Sequence, residues 1–204
     1  MIFEVFVFFG VIILILSLFF FSYLKYENQE WWKTWNNMPR NFPFKYKGKI
    51  LWYSRSCAVA AFVFGKDEHN QWCILANQRG TGAPDYNGLW NCICGYVVFN
   101  STGEENAVRE IEEETGIAIP AHILRFVEVN DDPNESNKQN ITLRYFANIE
   151  HITKFGTPKI TNLGEEDEVA DVKWIPVKEI DQYAWAFGHK KIIKSYYKQF
   201  IIGI

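Results

Sequence analysis

Six of the thirteen residues from Glu104 to Gly116 are glutamates, and the stretch reads as one short helix. Ser101 or Thr102 is placed to cap its start, with Glu104 or Glu105 three residues on to complete a capping box. Gly116 suits a left-handed C-cap, and Ile117 supplies the apolar contact that follows. Such crowding has an electrostatic cost. Like charges three or four residues apart on a helix repel by a few tenths of a kcal/mol per pair. Glu112, Glu113 and Glu114 also occupy the last turn, where the helix dipole favours cations. On this helix Ala107, Ile111 and Thr115 recur every fourth residue, with Val108 beside them, and form the core face. Glu110, Glu113 and Glu114 then project together from a neighbouring face. Hard divalent cations take oxygen ligands, and Mg²⁺ commonly combines a few carboxylates with phosphate oxygens and water. The spacing suits a Mg²⁺ or Mn²⁺ phosphate site; an acidic, solvated helix face is the plainer alternative.

Around this helix the pattern is that of an α/β domain. Cys57–Phe64 and Trp72–Gln78 are apolar runs on either side of a Gly/Asp/Asn turn and predict a hairpin. A Gly- and Pro-containing loop spans 80–88, and Trp90–Phe99 reads as a strand broken by Gly95. Ile123–Val129, Ile141–Ile149 and Val169–Ile175 read as further strands. Pro176 opens a helix over Val177–Tyr183, and His189–Ile201 reads as a last amphipathic helix. Hairpins among interleaved helices predict a mixed sheet rather than a doubly wound parallel one.

The N-terminus differs in kind. Val5–Leu24 is twenty residues without a charge, rich in Phe, Val, Ile and Leu. At 1.5 Å per residue this matches a hydrocarbon core of about 30 Å. Tyr23 at its end, and Lys25, Tyr26, Trp31 and Trp32 after it, are placed as an interfacial belt would be. A cleaved signal peptide would show a basic leader, a shorter apolar core and a small-residue cleavage site, and none is evident. The expectation is a single-pass membrane anchor over residues 1–25, a juxtamembrane linker over 26–54 and a folded domain over 55–204. No Lys or Arg precedes the segment, whereas Lys25, Lys33, Arg40, Lys45, Lys47 and Lys49 follow it. The positive-inside bias therefore puts the C-terminal domain in the cytoplasm. Trp31, Trp32 and Trp35 suit either the lipid interface or the domain surface.

Net charge is −3, which gives no support for nucleic-acid binding through a basic surface. Phosphate must then be met locally, by metal or a few placed cations. Cys57, Cys73, Cys92 and Cys94 lack the paired spacing of a zinc site and read as small buried hydrophobes in a reducing compartment. No Ser/His/Asp or Cys/His constellation for nucleophilic catalysis is visible. Arg79, at a strand end before the 80–88 loop, could meet a phosphate as a bidentate donor. Tyr86, Trp90 and Tyr96 could stack a base, although core or loop packing is the plainer account of each.

The longer pattern Gly95-x5-Ser101-x7-Arg109-Glu110-Ile111-x-Glu113-Glu114-x-Gly116-Ile117 resembles the Nudix box of the Nudix hydrolase family. Eight of nine fixed positions agree over 23 residues, and the departure is Ser101, where the box has glutamate. Leu89-Trp90 before the box and Trp174-Ile175-Pro176 after it extend the resemblance over roughly 55–200. The resemblance implies an α/β/α sandwich with a mixed sheet and hydrolysis of a nucleoside diphosphate linked to another moiety, X. By motif position Glu110, Glu113, Glu114 and the Cys94 carbonyl are implied metal ligands for Mg²⁺ or Mn²⁺, and Gly95 would let the backbone approach the ion. The general base would be Glu110, Glu114 or a carboxylate of the run Glu165–Glu168, of which Glu168 is the choice. Arg109 loses its usual box partner at Ser101; Glu105, Glu112 or Glu113 could replace it, with Arg109 orienting Glu113. The expected function is a membrane-anchored, metal-dependent pyrophosphohydrolase; the alternative is a catalytically weak nucleotide- or metabolite-binding sensor.

Overall fold

The computed structural model describes residues 42–46, 49–53, 55–132, 140–161 and 167–203. The chain divides into two units, Met1–Ser54 and Arg55–Ile204. The first contains an antiparallel hairpin, β1 (Phe42–Tyr46) and β2 (Lys49–Tyr53), with Phe42 opposite Tyr53 and Tyr46 opposite Lys49. This hairpin falls in the stretch read as a linker. The apolar segment read as an anchor and Trp31, Trp32 and Trp35 lie outside the described residues. Among the described residues no helix is long and apolar enough to cross a membrane.

The second unit is built on β3 (Cys57–Lys66), whose residues Val59–Phe64 are buried on both faces. A continuous apolar run of this kind suits a central strand covered on both sides. β3 runs parallel to β8 (Ile141–His151), and β7 (Arg125–Asn130) adds antiparallel beyond it. On the other side β3 turns into β4 (Trp72–Arg79), pairing Phe64 with Ile74 and Lys66 with Trp72. The Asp67 carboxylate makes that turn by accepting from the His69 and Gln71 N–H groups at 2.9 and 2.8 Å. Farther along, two short strands pair with the two arms of this hairpin. β5 (Trp90–Asn91) pairs with β4 at Asn77 and Gln78, and β6 (Ile93–Tyr96) pairs with β3 at Ala58–Ala61. β9 (Val169–Pro176) lies antiparallel on the other edge of β4. The sheet is mixed, as the hairpins predict.

Alternation on β3 divides the core into two layers. Val59, Ala61 and Val63 pack with Leu75, Ile93 and Tyr145 against Ala107 and Ile111 of helix α1 (Gly103–Thr115). Ala60, Phe62 and Phe64 pack with Ile74, Phe146 and Ile175 against Ile192, Ile193 and Tyr196 of helix α2 (His189–Tyr196). Fully burying each large apolar side chain contributes on the order of 2 kcal/mol. Helices therefore cover both faces of one sheet.

Two expected helices differ in detail. Val177–Gln182 is a 3-10 turn, because six residues are too few to sustain a cooperative α-helix and the Trp185 indole N–H takes the Ile180 carbonyl at 2.8 Å. The last helix is α-helical to Tyr196 and then widens to a π turn over Tyr197–Ile202, where the Gly203 N–H reaches Lys198 O at 3.0 Å. The strand expected over Ile123–Val129 starts later, because Ala121–Ile123 form a 3-10 turn.

Candidate active site

Helix α1 is capped at both ends. Thr102 Oγ1 accepts from the Glu105 N–H at 3.2 Å, and Glu105 Oε2 accepts from the Thr102 N–H at 2.7 Å. Of the two capping pairs open in the sequence, the chain uses this one. Gly116 closes the helix at φ 67°, where a side chain would be strained. Thr161 Oγ1 donates to the Glu113 carbonyl and the Lys159 N–H to the Thr115 carbonyl, so neutral donors meet the C-terminal carbonyls in the absence of a basic last turn. Ala107, Ile111 and Thr115 are fully buried, and this sets the direction of the adjacent carboxylates.

Glu114 is 5% exposed and accepts from Asn77 Nδ2 on β4 at 2.9 Å. It also accepts from the Cys94 backbone N–H. Burial holds its carboxyl well above the ordinary range, and the charges of Glu110 and Glu168 push in the same direction. The Glu110 carboxylate lies in the space that a side chain at position 95 would fill, so Gly95 is the residue that admits it. Burial raises the Glu110 pKa, Arg109 opposes the shift, and Glu113 and Glu168 add to it. Arg109 bridges the pair: its Nη1 meets Glu113 Oε2 and its Nη2 meets Glu110 Oε1, both at 2.5 Å. Glu105 is committed to the cap and Glu112 is exposed, so Glu113 is the partner taken among the three considered. Asn106 Oδ1 accepts a further bond from Arg109 Nη2 at 3.3 Å.

These groups line a cavity of about 520 Å³. It brings together Cys94, Arg109, Glu110, Glu113, Glu114 and Glu168, which lie on β6, on α1 and just before β9. Glu168 is placed by its carbonyl, which accepts from the Gly80 N–H at 2.7 Å. Glu165 and Glu166 of the same acidic run lie outside the described residues. The thiol of the half-buried Cys94 is pushed up to about 12 by desolvation, with the Glu114 charge adding, and stays protonated. Arg79 reaches the cavity from the end of β4 with its guanidinium on Asp85: Nε meets the carbonyl at 2.8 Å and Nη2 meets Oδ1 at 3.0 Å. Tyr96 also lines the cavity, half exposed, and its hydroxyl accepts from Asn140 Nδ2 at 3.3 Å. Tyr86 is not among the lining residues; it sits at φ 53° with its ring edge-on to Phe187 at 4.8 Å. Trp90 is buried in the α2-side core.

Sequence reasoning passed over four residues that the fold brings here: Asn77, Arg144, Phe187 and His189. Arg144 on β8 is 8% exposed, lines the cavity and meets Glu128 at 2.9 Å. His189 Nδ1 accepts from the Cys92 N–H at 3.0 Å, and burial brings its pKa down to about 3, with Arg144 and Arg79 lowering it further. The ring is a neutral wall of the cavity. No sequence signal marks these positions, because each arrives from a separate element.

The family model for the NUDIX domain matches residues 55–196. The chain belongs to the NUDIX family. No curated protein matches the chain. Among solved structures it is similar to the NUDIX domain of Shewanella oneidensis NrtR complexed with ADP ribose, at 20% identity and a TM-score of 0.62, covering 76% of this chain and 93% of that one. It is also similar to a MutT/nudix family protein from Enterococcus faecalis, at 18% identity and a TM-score of 0.59, covering 87% of this chain and 74% of that one. A bifunctional NMN adenylyltransferase/ADP ribose pyrophosphatase of Francisella tularensis, complexed with AMP and a Mn ion, gives 23% identity and a TM-score of 0.60, covering 87% of this chain and 48% of that one. At these identities the likeness establishes the fold. Within this NUDIX domain Glu110, Glu114 and Glu168 form an oxygen-only set of mutually repelling charges, the chemistry that a hard divalent cation relieves. Among the described residues no three His, Cys, Asp or Glu side chains already close around one ion position. Arg109 engages one oxygen of Glu110 and one of Glu113, so a cation at these carboxylates would compete with its guanidinium.

Proposed function

We propose that this chain is a metal-dependent hydrolase of a diphosphate linkage in a nucleoside-diphosphate-X substrate, held at the cytoplasmic face of a membrane by its N-terminal apolar segment. The observation that carries the reading is the convergence of Glu110, Glu114 and Glu168 in a cavity that also holds Arg79. Glu110, Glu113, Glu114 and the Cys94 carbonyl would hold Mg²⁺ or Mn²⁺. When bound, the ion supplies charge neutralisation at phosphorus and lowers the pKa of water. Arg109 orients Glu110 and Glu113. Arg79 binds a phosphoryl oxygen, exchanging part of its hold on Asp85. Glu168, whose charge acts on both Glu110 and Glu114, takes the proton from the attacking water. An ADP-ribose-like compound is the first substrate to test, because two neighbours carry that chemistry in their descriptions.

The test is a panel of nucleoside-diphosphate compounds with Mg²⁺ or Mn²⁺, read by product mass on the full chain. Glu113→Gln and Glu114→Gln should abolish product. Retained turnover in these variants would remove the site assignment. A sensor that binds without cleaving is the second reading, favoured by Ser101 and by the engagement of two carboxylates with Arg109. Ligand-dependent thermal stabilisation without any product across the panel would select it.

A further inference from the structure

Asn106 is fully buried at the start of α1, and every polar atom of its side chain is in use. Its Oδ1 accepts from the Val98 N–H at 3.0 Å and from Arg109 Nη2 at 3.3 Å. Its Nδ2 donates to the Thr102 carbonyl at 2.7 Å. One amide thus ties three things together: the chain leaving β6, the N-cap of α1, and the arginine that bridges Glu110 and Glu113. The geometry matters because the two sides of the carboxylate site come from the two segments so joined. Gly95, which gives Glu110 its space, lies three residues before Val98; the glutamates lie on the helix. Arg109 Nε is buried without a hydrogen-bond partner, so the guanidinium is held by its Nη atoms alone. Of the groups holding those atoms, Asn106 is the one that is not a carboxylate of the site, and its oxygen is also held by the Val98 N–H.

We propose that Asn106 is a positioning residue that fixes Arg109 and, through it, the carboxylates of Glu110, seated against Gly95, and Glu113. It gives Arg109 an acceptor off the carboxylate site in a chain whose position 101 is a neutral serine. When a cation draws Glu110 or Glu113 away, Asn106 keeps Arg109 in place, so the helix retains one docked arginine in both states. This role rests on the metal-dependent reading above, but its structural half does not.

Two readouts separate the two halves. The first needs no metal: the ¹⁵N signal of Arg109 Nε in the full chain. It should exchange slowly with solvent in the wild type and fast in Asn106→Ala. The second is Mn²⁺ affinity, measured by electron paramagnetic resonance well below the melting midpoint. Asn106→Ala should weaken it about tenfold, the usual scale for residues that orient metal ligands. Adding Ser101→Glu to Asn106→Ala should restore Mn²⁺ affinity without restoring the melting midpoint, which a merely structural role would not produce. Asn106→Asp keeps both acceptor contacts, loses the donation to Thr102, and should keep Mn²⁺ affinity while lowering the midpoint; it serves if the alanine variant does not fold. Slow Arg109 Nε exchange in Asn106→Ala would overturn the proposal, as would wild-type Mn²⁺ affinity in that variant. If the wild type binds no Mn²⁺ while Arg109 exchange still depends on Asn106, the metal reading fails and the positioning role stands.

Discussion

Gly95 and Glu114 show how single residues at this site are held against their own stability. The Glu110 carboxylate occupies the place of a Cβ at position 95. Gly95→Ala must therefore displace that carboxylate from its Arg109 contact. Turnover should fall about 10²-fold, the scale of a 1 Å misplacement, with a small change in melting midpoint. Kinetics comparable to wild type would show that Glu110 does not work from this position. Glu114 poses a different problem, a buried acid with a raised pKa. Below its ordinary value of 4.5 the proton is present in both folded and unfolded chains, and the residue costs nothing. As pH rises, the unfolded chain releases the proton first, and stability is lost up through the folded pKa. In chelator, Glu114→Gln should thus melt higher than wild type at neutral pH, and the gap should close toward pH 4.5. Equal melting curves across that range would show that the buried carboxyl carries no such penalty. Asn77, which donates to Glu114 from β4, suits either side chain, since a glutamine oxygen accepts the same bond.

At the scale of elements, α1 is the piece in which sequence and structure agree most closely, because its information is local. Spacing, caps and core face all lie within fifteen residues of one another. Thr102→Ala removes one half of the capping box and should cost about 1 kcal/mol, a fall of about 2–4 °C in melting midpoint. An unchanged midpoint would mean that the Glu105 side chain and water replace the hydroxyl in full. Strands β3, β4, β8 and β9 were equally legible, since apolar runs bounded by turns mark them. The strand expected at Trp90–Phe99 with a break at Gly95 was not: it breaks at Cys92 with Gly95 inside β6, and the reason is tertiary. Asn91 and Cys94 pair with different strands, and nothing in the run states that Trp90 and Asn91 follow β4 while Ile93 onward follows β3. The site shows the same division. Glu110, Glu113 and Glu114 could be named from spacing and Arg109 from the resemblance to the Nudix box, whereas Asn77, Arg144 and His189 needed the fold. The Asn106 amide was local but silent, because an asparagine within a helix has no periodic meaning.

For the whole molecule, the question is what the first fifty-four residues contribute to a unit that is compact without them. The described core of Arg55–Ile204 closes on itself: both faces of the sheet are covered by its own helices, and the carboxylate cavity is lined from residues 58 to 189. The NUDIX match begins at residue 55. With a cavity lined by described residues of the second unit, the charge-free Val5–Leu24 segment is expected to act on location rather than chemistry. Residues 55–204 alone should melt in one cooperative transition and turn over the same substrate, with kcat close to that of the full chain. The full chain should float with phospholipid vesicles on a density gradient, and the shorter chain should stay in the soluble fraction. A full chain that does not float would remove the anchor from the proposed function and leave the hydrolase reading intact. A shorter chain that folds but loses turnover would instead place part of the active site in the first unit, since a passive tether has no means of changing kcat.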